Sequence, residues 1–289
     1  MPAAKFTTAA LPDLSGRTIV VTGASSGLGT VTARDLAEAG ARVVLAVRNQ
    51  AKGEQVAATI NGSTEVRELD LSSLASVRSF AESWTGELDI LINNAGIMAV
   101  PAGRTVDGFE SHIGTNHLGP FALTNLLLPH LTDRVVTVSS GLARIGRIDF
   151  ADLNWEHRRY RPWRAYGQSK LANLLFTTEL QRRLTEADSK VRAVAAHPGV
   201  AATSLDQHLN GLQKTVTRLG TRLSGQREAR YGAFPTLFAA TQDIPGDCYV
   251  GPGGRSGEWP KIENRRPADN DAATARRLWQ LSAELTHTD

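Results

Sequence analysis

The hydrophobic positions of this chain fall into short runs separated by segments with helical spacing. Residues 17–23 (RTIVVTG) form a β-branched run ending in glycine, and apolar positions then recur at Leu28, Val31, Leu36 and Ala37 before Gly40 closes the segment. That order predicts a strand, a tight turn and a helix. Similar runs follow at 41–47 (ARVVLAV), 88–92 (LDILI), 134–138 (RVVTV) and 191–196 (VRAVAA), each succeeded by a helical pattern. Weaker strands are expected at 65–69 and 247–250, long helical segments at 107–131 and 166–187, and a short terminal helix at 272–285. Strands apolar on both faces that alternate with helices predict an α/β fold: one doubly wound, Rossmann-type parallel sheet of about seven strands. No repeat or Pro/Ser-rich linker divides the chain, so 1–289 reads as a single domain. Its core lies at 16–250, and a C-terminal extension, 251–289, starts with an irregular stretch rich in Gly, Pro and charge up to 269.

Composition then excludes several classes. The 289 residues carry 32 Lys plus Arg against 29 Asp plus Glu, a formal charge of +3, and 41% are hydrophobic. That composition suffices for a large core, and it lacks the dense basic block that a nucleic-acid partner would favour. A single cysteine, Cys248, rules out an intrachain disulfide and a Cys-rich zinc site, and no metal is expected. No run approaches about 18 consecutive apolar residues, and residues 1–16 have no apolar stretch behind a basic one. The expectation is a cytoplasmic protein without membrane contact.

Candidate chemistry begins at the first turn. TGASSGLG at 22–29 places Gly23, Ser25, Ser26, Gly27, Leu28 and Gly29 between strand and helix. Backbone N–H groups and the positive end of the helix dipole face an anion there, and the missing side chains let a pyrophosphate come close. The spacing is G-x-x-x-G-x-G rather than the commonest dinucleotide fingerprint, and no Lys-Ser/Thr pair follows as a P-loop requires. An NAD site usually carries a carboxylate about 20 residues on, at the end of the second strand. Val47 stands there instead, followed by Arg48, whose guanidinium can pair with a 2′-phosphate. NADP(H) is therefore favoured over NAD(H), unless Arg48 is an ordinary exposed charge at a strand end. After the third strand come Asp70 and Leu71; Asp70 either holds the adenine edge or caps the helix beginning near Ser72 or Ser73. NNAG at 93–96 brings Asn94, Ala95 and Gly96 to the same sheet edge, with Gly96 leaving room for a flat ring.

YGQSK at 166–170 puts Tyr166 and Lys170 at i and i+4 of a predicted helix, on one face. A phenol with a pKa near 10 is brought toward acid/base range when an adjacent ammonium favours the phenolate. Ser139 and Ser140 end the fifth predicted strand, where a hydroxyl can polarise a carbonyl. Asn116 lies within the 107–131 segment, where an asparagine can equally bond backbone carbonyls or water.

Taken together, TGASSGLG, NNAG, Asn116, Ser140, YGQSK and PGVAAT at 198–203 resemble the short-chain dehydrogenase/reductase family over residues 16–250. The resemblance implies Tyr166 as catalytic acid/base, Lys170 as its tuner and a ribose ligand, Ser140 as a substrate-orienting donor and Asn116 in a water-linked proton relay. It also implies Pro198, Gly199, Val200 and Thr203 around the nicotinamide and pyrophosphate. The segment between Ser140 and Tyr166 is longer than in many family members. That segment, together with AVRNQAKGE at 46–54, SKLANLLFTTEL at 169–180 and AHPGV at 196–200, is similar to the branch of retinol dehydrogenases and protochlorophyllide-reductase-like proteins, typically NADP(H)-linked. The family often pairs subunits through helices near 107–131 and 166–187, which implies a homodimer or homotetramer.

On the substrate side, Leu205, Leu209, Leu212, Val216, Leu219 and Leu223 make an apolar helix face within 204–225, opposite Lys214, Arg218 and Arg222. This helix is expected to cover the substrate; a plain amphipathic surface helix and a contact with an anionic membrane are the competing readings. Arg144, Arg147, Arg158, Arg159, Arg161 and Arg164 hint at an anionic substrate or belong to a solvated loop. The function expected is NADP(H)-dependent hydride transfer to or from a small-molecule carbonyl or alcohol. A non-catalytic nucleotide-binding sensor or scaffold on the same fold is the alternative.

Overall fold

Strand β1 (Thr18–Thr22) occupies the middle of the sheet, with β2 (Arg42–Val47) parallel on one side and β4 (Leu88–Asn93) parallel on the other. A computed structural model of the chain describes residues 6–199, 229–253 and 259–288. Beyond β2 lies β3 (Thr64–Glu68); beyond β4 follow β5 (Leu131–Val138), β6 (Arg192–Ala196), β7 (Tyr249–Gly251) and β8 (Lys261–Ile262). The order is β3-β2-β1-β4-β5-β6-β7-β8, parallel except for the antiparallel β7/β8 pair. The chain steps outward one way from β1 and the other way from β4, so a crevice opens past the carboxyl ends of these two strands.

Because successive strand residues point to opposite faces, continuous apolar strands bury both. On one face Ile19, Val21, Leu45 and Ile92 pack with Leu36 of α1 (Gly27–Glu38) and Phe234 and Leu237 of α7 (Ala229–Thr241). On the other, Val20, Val44 and Leu91 join Val77 of α3 (Leu74–Glu82), Phe121 of α5 (Gly119–Leu127), Phe176 of α6 (Pro162–Glu186) and Trp279 of α8 (Ala272–Thr286). Each such side chain contributes about 1.5–3 kcal/mol on leaving water. Helix α2 (Gln50–Ala57) starts at an Asn49 cap, whose side chain accepts from the Lys52 N–H at 2.9 Å.

The structure departs from the sequence reading in two places. The sheet has eight strands among the described residues, not about seven; β8 is two exposed residues inside the stretch read as irregular, too short to carry a pattern. The expected helix at 107–131 is a composite: α4 (Ser111–Ile113), a π-helical turn (Gly114–Leu118), α5, and a 3₁₀ turn (Leu128–His130) before β5 begins. Its apolar content is helical enough to hide these breaks. The 204–225 helix lies outside the described residues.

The terminal helix α8 docks through Trp279, whose ring stacks on Phe176 at 5.7 Å and meets Phe121 edge-on at 4.9 Å. The Arg183 guanidinium covers it at 4.4 Å, and Ser282 Oγ sits 2.9 Å from His117 Nε2. Burial pushes the His117 imidazole down to about 4, so it is neutral at pH 7. No helix among the described residues is long and apolar enough to cross a membrane.

Candidate active site

Where β1 and β4 end, Thr22 ties them together. Its hydroxyl accepts the Asn94 and Ala95 N–H groups at 3.0 Å each, and Asn94 Nδ2 donates to Thr22 O at 2.8 Å. The glycine turn follows, with φ of +68° at Gly23 and +58° at Gly27, a region open to glycine at little strain. A Cβ on Gly29 would lie 2.5 Å from both Asn94 Nδ2 and Gly23 O, so the turn closes only without one. Ser26 is the cap residue of α1 but makes no side-chain cap bond, and the first turn carries no acid. The first N–H groups of α1 are therefore left for an outside acceptor.

This turn lines a cleft of about 430 Å³. Of the residues singled out from the sequence, Gly23, Ser25, Ser26, Gly27, Leu28, Gly29, Arg48, Asp70, Leu71, Asn94, Ala95, Gly96, Tyr166, Lys170 and Pro198 line it. Asn116, Ser140 and Gly199 stand outside its wall, and Val200 and Thr203 lie outside the described residues. Asp70 lines the cleft while its Oδ1 accepts from Ser72 N–H and Oγ; the cap of α3 is Ser73, at 3.3 Å from Ser76 N. Asp70 is therefore not the cap of α3, a role that Ser73 takes, and its side chain stands at the cleft wall.

At the carboxyl end of β2, Val47 is buried and Arg48 is exposed, and Lys52 lines the same wall one turn later. Among the described residues neither cation is paired with a carboxylate. Lys52 is a site residue the sequence reading missed. Its signal was present: four positions after Arg48, just past an Asn able to start a helix.

At the other end, α6 carries Tyr166 and Lys170 on one face, both 4% exposed. Lys170 Nζ donates to Val138 O at 2.8 Å and lies 5.8 Å from the Tyr166 ring centroid. Burial draws the Lys170 ammonium down to about 8, still charged at pH 7. Tyr166 does not follow the expectation of an ammonium-lowered phenol: burial pushes it up to about 12, against a hydrogen bond to Ser140 that lowers it. In the protein alone, desolvation outweighs the nearby cation. Ser140, two residues past β5, is the cap of the next 3₁₀ turn, its Oγ accepting from Leu142 N–H at 3.2 Å.

Asn116 sits in the π-helical turn, and its side chain is turned out of the helix. Oδ1 accepts the Ile97 N–H at 2.8 Å, while Nδ2 reaches Ile97 O at 3.0 Å and Ser169 Oγ at 2.9 Å. The competing reading, an Asn bonding a backbone carbonyl, holds at Ile97 O, which lies outside its own helix. A Cβ on Gly96 would meet Asn116 Oδ1 at 3.2 Å and Lys170 Nζ at 3.4 Å, so glycine keeps this floor open.

The donor set fits a nicotinamide dinucleotide. Open helix N–H groups face the middle of the cleft, two cations with no carboxylate partner among the described residues stand at one end, and at the other a buried ammonium uses one of its three N–H donors on Val138. Among the described residues no cluster of His, Cys, Asp or Glu could hold a metal ion.

The short chain dehydrogenase family matches residues 17–213. Retinol dehydrogenase 12 of Mus musculus is 48% identical over 287 residues, covering 94% of this chain and 87% of that protein. A crystal structure from Mycobacterium paratuberculosis is 56% identical with a TM-score of 0.87 and covers 99% of both chains. A short chain dehydrogenase of Burkholderia cenocepacia, solved in complex with NADP, is 25% identical with a TM-score of 0.65, covering 83% of this chain and 96% of that one.

Proposed function

The chain belongs to the short chain dehydrogenase family, and on that premise we propose that it is an NADP(H)-dependent oxidoreductase interconverting an apolar carbonyl compound and its alcohol. The observation that carries this reading is a single cleft with Arg48 and Lys52 at one end and Tyr166 and Lys170 at the other. The preference for the 2′-phosphorylated dinucleotide rests on this chain's own residues, since Val47 adds no carboxylate where a 2′-hydroxyl would need one. An apolar substrate is supported by the relatives named retinol dehydrogenases.

The bound dinucleotide supplies the hydride. Arg48, Lys52 and the first N–H groups of α1 would hold its phosphates, and the Lys170 ammonium would have donors for ribose hydroxyls. Tyr166, protonated at neutral pH, donates its phenolic proton to the substrate oxygen in the direction of reduction. Ser140, which lowers the phenol's pKa, and the Lys170 cation stabilise the phenolate that remains. In the direction of oxidation the same oxygen takes the alcohol proton back. Asn116 fixes the backbone at Ile97 and so holds Gly96 flat beside Lys170. A homodimer or homotetramer built on α5 and α6 would have to include α8, which lies against both.

Calorimetric titration of the nucleotide-free protein with NADPH and NADH separately tests the cofactor assignment. The expected result is tight NADPH binding with a clear preference over NADH; equal affinities would overturn the 2′-phosphate reading, and binding of neither would overturn the function.

A further inference from the structure

Beyond Gly96 the chain makes a loop, 97–100, that is held at both ends. Asn116 holds the first residue through both backbone groups of Ile97. A different set holds the last: Val100 N–H donates to His112 Nε2 at 3.3 Å, and the Tyr160 hydroxyl lies 3.3 Å from Val100 O. Between the two ends, Ala99 has φ of +51°, a left-handed conformation that a residue with a Cβ keeps only when its surroundings impose it.

Glu110 organises the second set. Its Oε1 lies 2.8 Å from His112 Nδ1 and 3.0 Å from the Tyr160 hydroxyl, and accepts the His112 N–H at 2.9 Å; Oε2 accepts the Ile113 N–H at 2.9 Å. Glu110 is 2% exposed and His112 is fully buried. Burial would raise the Glu110 carboxyl, but the His112 side chain and the two backbone N–H groups outweigh it and hold it below its ordinary value, as a carboxylate. A carboxylate facing Nδ1 keeps the imidazole proton there, which leaves Nε2 as the acceptor that Val100 N–H needs. Burial and the Glu110 charge push the Tyr160 phenol far above its usual range, so its proton stays available to the carboxylate or to Val100 O. Asn154 Oδ1 completes the frame by accepting the Glu110 N–H at 2.9 Å.

The clamped loop stands beside the reactive tyrosine. Ile97 lines the cleft, and the His112 ring packs edge-on against the Tyr166 ring with centroids 6.1 Å apart. Two of the clamp's groups, Tyr160 and Asn154, come from the long segment between Ser140 and Tyr166. We infer that Glu110, His112 and Tyr160 are positioning residues that hold loop 97–100 as a fixed substrate-side wall next to Tyr166, and thereby set which carbonyl compounds fit. The inference rests on the oxidoreductase reading for its consequence in turnover, but the clamp itself can be tested without it.

The test compares the wild type with His112→Leu, which removes the side-chain bonds to Val100, Glu110 and Tyr160, and His112→Gln, which keeps one donor and one acceptor. Two readings are taken: amide hydrogen exchange across 97–100 in the nucleotide-free protein, and kcat and KM for short- and long-chain apolar aldehydes at saturating NADPH. In His112→Leu, exchange at 97–100 should accelerate and KM for the aldehydes should rise roughly tenfold, the effect of one lost buried hydrogen bond. Its kcat should stay within about twofold and its NADPH affinity should not change, as expected when only substrate placement is disturbed. His112→Gln should restore both readings. Unchanged exchange overturns the clamp whether or not the wild type turns over any aldehyde. Faster exchange with unchanged KM in an active enzyme overturns its role in substrate fit. An inactive wild type with faster exchange in the variant supports the clamp and removes the oxidoreductase reading. Should His112→Leu fail to fold, Tyr160→Phe, which deletes a single hydroxyl, carries the same two readings with smaller changes.

Discussion

Replacing Lys170 by methionine should make the nucleotide-free protein more stable at neutral pH. The lysine is 4% exposed, and among the described residues its side chain makes one hydrogen bond, to Val138 O. Burial moves its pKa from 10.5 to about 8. At about 1.4 kcal/mol per pKa unit, holding the charged form inside costs on the order of 3 kcal/mol. Methionine has a similar length and no charge, so it removes that penalty together with one hydrogen bond worth about 1 kcal/mol. Val138 O keeps the Asn173 Nδ2 contact at 3.4 Å and is not orphaned. The net gain is about 2 kcal/mol, or about 3 °C in Tm for a chain of this size. Its pH dependence follows from the depressed pKa. Below pH 8 the lysine is protonated in both states and the full penalty applies. Between about 8 and 10.5 the folded protein has lost a proton that the unfolded chain still holds, so wild-type stability climbs toward the variant. Thermal unfolding of both proteins from neutral to alkaline pH, without nucleotide, reads this directly. A variant less stable at pH 7, or a difference that does not shrink with rising pH, would refute the claim that this cation is held at a cost for the sake of the site.

Other outcomes follow from the same contacts. Arg48→Ala should weaken NADPH binding by about 1.5–3 kcal/mol, a charge-assisted contact, and leave NADH nearly unchanged in calorimetry; equal losses would mean that Arg48 acts on the fold. Trp279→Ala should destabilise the protein by about 3–5 kcal/mol in urea titration, since its ring fills the seam between Phe121, Phe176 and the Arg183 guanidinium. A loss below about 1 kcal/mol would show that α8 contributes little to the core.

The sheet was legible because its strands are buried on both faces: runs such as 18–22 and 42–47 carry no polar interruption, and each leads into a helix. The elements that escaped were those with no hydrophobic period to read. Lys261–Ile262 is an exposed two-residue strand made by pairing with β7. The π-helical turn at Gly114–Leu118 leaves the apolar pattern of its segment intact while turning Asn116 toward Ile97. The sequence motifs brought most of the cleft's lining together, because they fall at the ends of adjacent strands. Lys52 escaped since no motif contains it, and the acidity of Tyr166 was misjudged because spacing places a lysine nearby without revealing how deeply both are buried. The Glu110, His112 and Tyr160 clamp joins residues from two distant segments and has no signature along the chain.

The account turns on Tyr166 as the group that moves the proton. Reduction of an apolar aldehyde with NADPH should be measured for the wild type and Tyr166→Phe, with NADPH affinity determined on the same samples. The account predicts turnover by the wild type, a loss of about 100-fold or more in the variant, and an NADPH affinity that stays the same because only the hydroxyl is gone. A variant that reduces the aldehyde as fast as the wild type would contradict it.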